Sequence, residues 1–194
     1  MTSGQRRGRW AGVPLRDRPA RRRDALIAAG VQLLGGVAGP AITVRAVCRH
    51  AGLTERYFYE SFEDRDDFVR AAYAEVCTQA MGALAPTTSA REAVEKFVAL
   101  MVDDPVRGRA LLLAPEAEPV LSRCGSEWMP NFIDLLQRKL TTITDPVVQA
   151  MTATSLIGGL TALFSAYLNG RLAASREQFI DYCVELLLMG ANSA

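Results

Sequence analysis

A chain of 194 residues with 49% apolar and 22% charged side chains can bury a large core, which excludes a disordered polypeptide. The formal net charge of +1 hides an asymmetry: residues 1–70 hold thirteen basic and eight acidic side chains, whereas residues 71–194 hold nine and thirteen. A basic end on an acidic body is the electrostatic footprint of a nucleic-acid binder.

Residues 1–20 combine Arg6, Arg7, Arg9, Arg16 and Arg18 with Gly4, Gly8, Gly12, Pro14 and Pro19. This composition predicts a flexible basic arm. Such an arm either follows DNA phosphates or is a solvated tail, and the residues alone leave both open. A first helix is expected over 21–34, with Leu26, Ala29, Leu33 and Leu34 as its inner stripe. Gly35-Gly36 ends it, and Gly39-Pro40 forms the next loop.

Residues 43–62, TVRAVCRHAGLTERYFYESF, read as two short helices joined by a glycine turn. Thr43 can cap the first, whose inner residues are Val44, Val47 and Cys48. Gly52 suits the left-handed turn, and Thr54 can cap the second helix. Phe58 and Phe62 share one face, leaving Glu55, Arg56, Tyr57, Tyr59 and Glu60 on the other. A helix-turn-helix of this kind lays its second helix in the DNA major groove. Arg56 is the candidate for a guanine contact, with Tyr57 beside it. Arg45 and Thr54 complete the DNA-facing set.

Thr43, Val44, Val47, Ala51, Gly52, Leu53, Thr54, Phe58, Tyr59, Phe62, Arg65 and Asp66 fall in register with a known signature. Over residues 22–72 the chain resembles the DNA-binding domain of the TetR (tetracycline-repressor-like) family of transcriptional regulators. Two positions depart: Cys48 replaces a customary alanine, and Ser61 a customary histidine. The resemblance implies phosphate contacts from Thr43, Tyr59 and Arg65. It also implies a homodimer, paired through its last two helices, that reads a near-palindrome in double-stranded DNA.

Beyond residue 62, a fourth helix is expected from 64 to 84, with Asp64, Asp66 and Asp67 complementing its dipole. Pro86 to Ser89 form a turn, and Ser89 caps a helix carrying Val94, Phe97, Val98 and Met101. Pro105, Pro115, Pro119, Gly125 and Pro130 are expected to cut the middle into short helices. Pro146 opens a long helix to about residue 172, and a last helix covers 175–189. The expected class is therefore all-α. The expected organisation is an arm (1–20), a three-helix head (21–72) and a helical body for ligand binding and dimerisation (73–194).

In the body, Phe97, Met101, Leu113, Trp128, Phe132 and Leu136 are candidate walls of a pocket for a small lipophilic effector. Aromatic residues at helical spacing also make ordinary core. Ser155, Gly159, Ala162 and Ala166 form a small-residue stripe, widened by Gly158 and Ser165. The last helix, with Phe179, Cys183 and Leu186, is apolar over most of its circumference. A two-fold dimer interface accounts for both features, and burial in the subunit's own core is the alternative.

No apolar run reaches the roughly 18 residues of a membrane span, and no secretory signal follows the first arginines. Cys48, Cys77, Cys124 and Cys183 lack C-x-x-C spacing and read as free thiols of a reducing cytoplasm. His50 is the single histidine, so neither a catalytic triad nor a histidine metal site is expected, and no cofactor is implied. The expected function is a ligand-responsive DNA-binding regulator, a repressor in the simplest case. Two alternatives stand beside it: a DNA-binding protein without an effector, and a helical binding protein or enzyme carrying such a head.

Overall fold

The structure is a computed structural model that describes residues 18–36 and 42–192. Among the described residues there is no strand. The helices are α1 (Arg18–Leu34), α2 (Val44–Ala51), α3 (Glu55–Tyr59), α4 (Arg65–Leu84) and α5 (Ala90–Met101). They continue with α6 (Pro105–Leu112), α7 (Ala114–Ala117), α8 (Pro119–Gln137), α9 (Pro146–Leu168) and α10 (Arg176–Asn192).

Local chemistry sets most of these boundaries. Asp64 accepts a hydrogen bond from the Asp67 amide at 2.7 Å and starts α4. Ser89 does the same for Glu92 at 3.2 Å and starts α5. Before α10, Ser175 and Gln178 form a reciprocal capping pair: each backbone amide donates to the other's side chain, at 2.9 and 3.2 Å.

Three boundaries differ from the sequence expectation. α1 begins at Arg18, so the last three residues assigned to the arm are helical; proline is compatible with a first helical turn. The rest of the arm, with Trp10, and the Gly39-Pro40 loop lie outside the described residues. α8 is a single helix that passes through Gly125 and Pro130. Pro130 is exposed, which leaves the carbonyl freed by its missing N–H open to hydration. α9 ends at Leu168, where Gly170 takes φ 67° and turns the chain. α4 runs from Arg65 to Leu84, as expected, and so crosses residue 72, where the division between head and body was drawn.

That continuity has a packing basis. One buried cluster joins Leu26, Val47, Phe58 and Phe62 of the head to Phe68, Val69 and Val76 of α4, and onward to Met101, Leu111 and Leu121 of the body. α4 therefore serves both regions. A second cluster joins Val94 and Val98 of α5 to Phe164 of α9 and Phe179, Ile180 and Cys183 of α10.

α9 has no charged residue and meets the length and composition of a membrane-crossing helix, with mean hydropathy 1.5. Sequence inspection expected no such stretch, because scattered threonine and serine break its apolar runs. Ala153, Leu156, Phe164 and Ser165 are buried in the subunit, and the opposite side is open.

Candidate functional site

The helix-turn-helix is built by local interactions. The Thr43 hydroxyl accepts from the Ala46 amide at 3.2 Å, and Gly52 takes φ 65° to end α2. The Leu53 amide returns to the Cys48 carbonyl at 2.9 Å. Thr54 occupies the capping position of α3, but its hydroxyl makes no capping bond. Phe58 is fully buried, with its ring 5.5 Å from Phe62 and 5.2 Å from Phe68. This aromatic triangle fixes the roll of α3 and turns Glu55, Arg56 and Tyr59 outward. Tyr57 is half-buried beneath the Arg22 guanidinium, 4.0 Å from its ring centre.

The outward face holds its own ion pairs. Arg56 meets Glu60 at 3.0 Å, Glu60 also meets Arg22 at 3.8 Å, and Arg45 meets Glu55 at 3.3 Å. Arg45 and Arg56 are almost fully exposed, so each pair contributes at most about 1 kcal/mol and exchanges readily for a phosphate or base.

Arg65 points elsewhere. The resemblance implied a phosphate contact, but its guanidinium engages both Glu118 carboxylate oxygens. Its Nε donates to the Ile42 carbonyl at 2.9 Å, and Nη1 reaches Asp66 at 2.8 Å. These partners, Glu118 first, push its pKa up, so the side chain stays charged. Glu118 immediately precedes α8, and Ile42 immediately precedes the Thr43 cap. A short polar bridge thus connects the start of α8 to the entrance of the helix-turn-helix. A second connection runs from Arg109 Nε on α6 to the Gly35 carbonyl at 2.7 Å. A Cβ at Gly35 would lie 1.8 Å from the Val106 carbonyl oxygen, so only glycine permits this approach.

Inside the body lies a cavity of about 610 Å³ between α4, α5, α8 and α9. Phe97, Trp128, Phe132 and Leu136 line it, as the sequence suggested. Met101 and Leu113 do not: Met101 is fully buried in the core, and Leu113 sits at the junction of α6 and α7. Sequence reasoning missed Tyr73 and Leu84 of α4 and Leu160 and Phe164 of α9. No local signal marks these residues, and only tertiary packing shows that their neighbour is empty space. The Tyr73 phenol is held neutral, its pKa raised chiefly by burial.

The residues assigned to a dimer interface divide. Ser155 and Ala162 are exposed, Ala166 and Leu186 are half-buried, and a Cβ on Gly159 would stand 4.0 Å from Leu186. Phe179 (3% exposed) and Cys183 (0%) belong to the subunit's own core and are closed to a partner. Phe179 stacks on Tyr167 at 4.3 Å and meets Phe164 edge-on at 4.8 Å. The open face of α9 instead carries Val147, Met151, Ser155, Gly158 and Ala162, and on α10 Tyr182 and Leu188 are exposed. The spacings on α9 are four, four, three and four residues, one continuous helical stripe.

No protein-family model matches the chain, and no curated protein matches it. Solved structures do. A putative TetR-family transcriptional regulator from Rhodococcus sp. superposes with a TM-score of 0.68 at 20% identity, covering 89% of this chain and 100% of its own. The fatty acid degradation regulator FadR from Bacillus halodurans gives 0.66 at 12% identity, covering 88% and 95%. A TetR family transcription regulator from Marinobacter aquaeolei VT8 gives 0.61 at 15% identity, covering 92% and 98%. The chain has the TetR fold.

Within this TetR fold the remaining reactive groups are quiet. All four cysteines are free and buried. Burial pushes the Cys77 thiol up to about 12 and Cys183 to about 11, and it also raises Cys48 and Cys124. Thiols so shifted carry little thiolate near neutrality and are poor nucleophiles. Among the described residues no three His, Cys, Asp or Glu side chains gather to hold a metal ion. His50 is exposed on α2.

Proposed function

We propose that this protein is a homodimeric, ligand-responsive transcriptional regulator that binds a near-palindromic DNA site and is released by a small lipophilic effector. The observation that carries this reading is the Arg65–Glu118 bridge, which joins the reading head to the helix lining an apolar cavity. DNA recognition is assigned to Arg56 and Tyr57 for bases. Thr43, Arg45, Thr54 and Tyr59 are assigned to phosphates, which position without specifying. Arg65 takes a different part: it transmits the state of α8. Displacement of the α8 start by a ligand would alter the hold on Ile42, and so the angle at which α2 and α3 leave the core. Solved structures similar in fold carry names of transcriptional regulators, which supports the same reading.

Dimerisation is assigned to the open stripe of α9, the occupant being a second copy of the chain. Small residues there let two backbones approach, and two-fold symmetry pairs the stripe with itself. A regulator of this kind acts on cytoplasmic DNA, and no catalytic role is assigned.

The test is selection of double-stranded fragments from a random pool. The expected product is an inverted repeat bound by two subunits, with binding weakened by a compound that also raises thermal stability. Recovery of a sequence without compound sensitivity would support a DNA-binding protein lacking an effector. Recovery of no sequence would overturn the reading.

A further inference from the structure

The cavity is elongated, and its two ends differ in charge. At one end the Tyr73 hydroxyl lies 3.7 Å from where a Cβ on Gly125 would stand. At the other, Lys139 Nζ donates to the Ala85 carbonyl at 3.2 Å and the Thr87 carbonyl at 2.6 Å, just past Leu84. α4 from Tyr73 to Leu84 and α8 from Gly125 to Leu136 therefore run side by side in the same direction. Each stretch spans about 16 Å at the helical rise of about 1.5 Å per residue. Between the ends, the walls are Phe97, Phe132, Leu160 and Phe164, all apolar. The charged lining residues among those described are Glu116, at the Tyr73 end, and Lys139.

We infer that the cavity takes a long, unbranched amphiphile whose carboxylate binds Lys139 and whose hydrocarbon chain lies along α8 towards Tyr73. The inference rests on the effector reading above and names the chemistry of that ligand. Two of the three ammonium donors of Lys139 hold backbone carbonyls, which fixes its position and leaves the third for the ligand. Lys139 is exposed at the mouth, so a carboxylate there keeps part of its hydration while its chain leaves water. Glu116 opposes an anion at the far end and sets the orientation. The apolar run between the ends, walled by Phe97, Phe132, Leu160 and Phe164, matches a hydrocarbon chain laid along α8.

The test compares dodecanoate, dodecanol and hexanoate by titration calorimetry, each below its aggregation concentration, with the full-length protein and its Lys139→Gln variant. A charge-assisted hydrogen bond implies that dodecanoate binds the natural protein at least about tenfold more tightly than dodecanol. Hexanoate should bind far more weakly than dodecanoate. Lys139→Gln should erase the acid preference and leave dodecanol affinity unchanged. Equal binding of acid and alcohol, an acid preference that survives in the variant, or hexanoate matching dodecanoate would each overturn the inference. In those cases dodecanol binding that still releases DNA would leave the effector reading standing. Binding of none of the three would overturn the inference alone, if another lipophilic compound both stabilises the protein and releases DNA.

Discussion

The head and the body of this molecule use the same helical periodicity and arrive at opposite surpluses. The head packs three aromatic rings into a tight centre and leaves a polar, ion-paired surface facing outward. The body leaves apolar surface uncovered twice: inside, as the cavity, and outside, along α9. The lesson is that function sits where each region stops short of a saturated globule. Polar groups that hold each other loosely can exchange partners for DNA, while unfilled apolar space can take a ligand or a second subunit.

The strongest way to break the contrast is to hollow the head. Phe58→Ala removes a fully buried ring from the shared core and should cost about 3–5 kcal/mol, read by chemical denaturation. Because the cluster is continuous, the body should lose stability with the head.

Next comes the open face of α9. A Cβ at Gly158 would meet no atom within 4 Å, so Gly158→Phe should leave each subunit folded. Pressed against a partner, overpacking costs about 1–3 kcal/mol per site, and symmetry applies it twice. Sedimentation should show monomers with normal helical content. A tight dimer would move the interface off this stripe. Gly159 is the less clean position, because Leu186 of the same subunit already faces it.

On the head, Arg56→Ala should lose about 1–3 kcal/mol of discrimination at one position in each half-site. Competition binding with single-base variants measures it. Tyr59→Phe should instead weaken all sites alike. A uniform loss for Arg56→Ala, with sequence preference kept, would make it a phosphate contact.

The link between the regions is tested by Glu118→Gln. Arg65 keeps Ile42 and Asp66, so the fold should persist while the charge-assisted bridge weakens. Allosteric couplings of this type run at about 1–3 kcal/mol. A lost part of that coupling appears as a smaller change in DNA affinity on adding effector, with each ligand still bound. Full coupling in the variant would place the transmission elsewhere, the Arg109–Gly35 contact being the alternative.

The smallest effect belongs to acid. The Thr88 amide, and then Lys96, hold the Glu92 carboxylate down to about 2 from its usual 4.5. A depressed carboxylate stabilises the fold above its unfolded value. That contribution is lost as pH falls from about 4.5 through about 2. Protection of the amides in the first turn of α5, measured relative to their intrinsic exchange rates, should therefore fall over that window, and Glu92→Gln should remove this pH dependence of the protection.

How much of this was legible in the sequence depends on the range of the interaction. The helix-turn-helix was readable because its cap, its glycine turn and its Phe58–Phe62 face are all set within a few residues. Arg65 was not, because its partner lies 53 residues away in a region without a motif. Pro130 read as a break because propensity is local, whereas α8 survives on its packing against α4 and α9. Four of the six expected pocket walls line the cavity, since the mid-body apolar residues were correctly grouped but core and wall share one composition. The same ambiguity sent Phe179 and Cys183 to the interface. A helix rich in apolar residues all round does not reveal which side its own subunit covers first.

The passage of α4 through both regions makes this head a poor candidate for transplantation. Cutting the chain after residue 72 would strip Val76 and Cys77 from the cluster and leave Met101, Ala110 and Leu121 facing water. A chimera carrying this head on a foreign body would inherit an exposed apolar flank and an Arg65 that has lost Glu118 and keeps only Asp66 and Ile42. Modular exchange of reading heads, attractive wherever a connector is a true linker, here requires that α4 and the α6–α8 surface travel with the head. The unit that can be inherited intact is larger than the unit to which DNA contact is assigned.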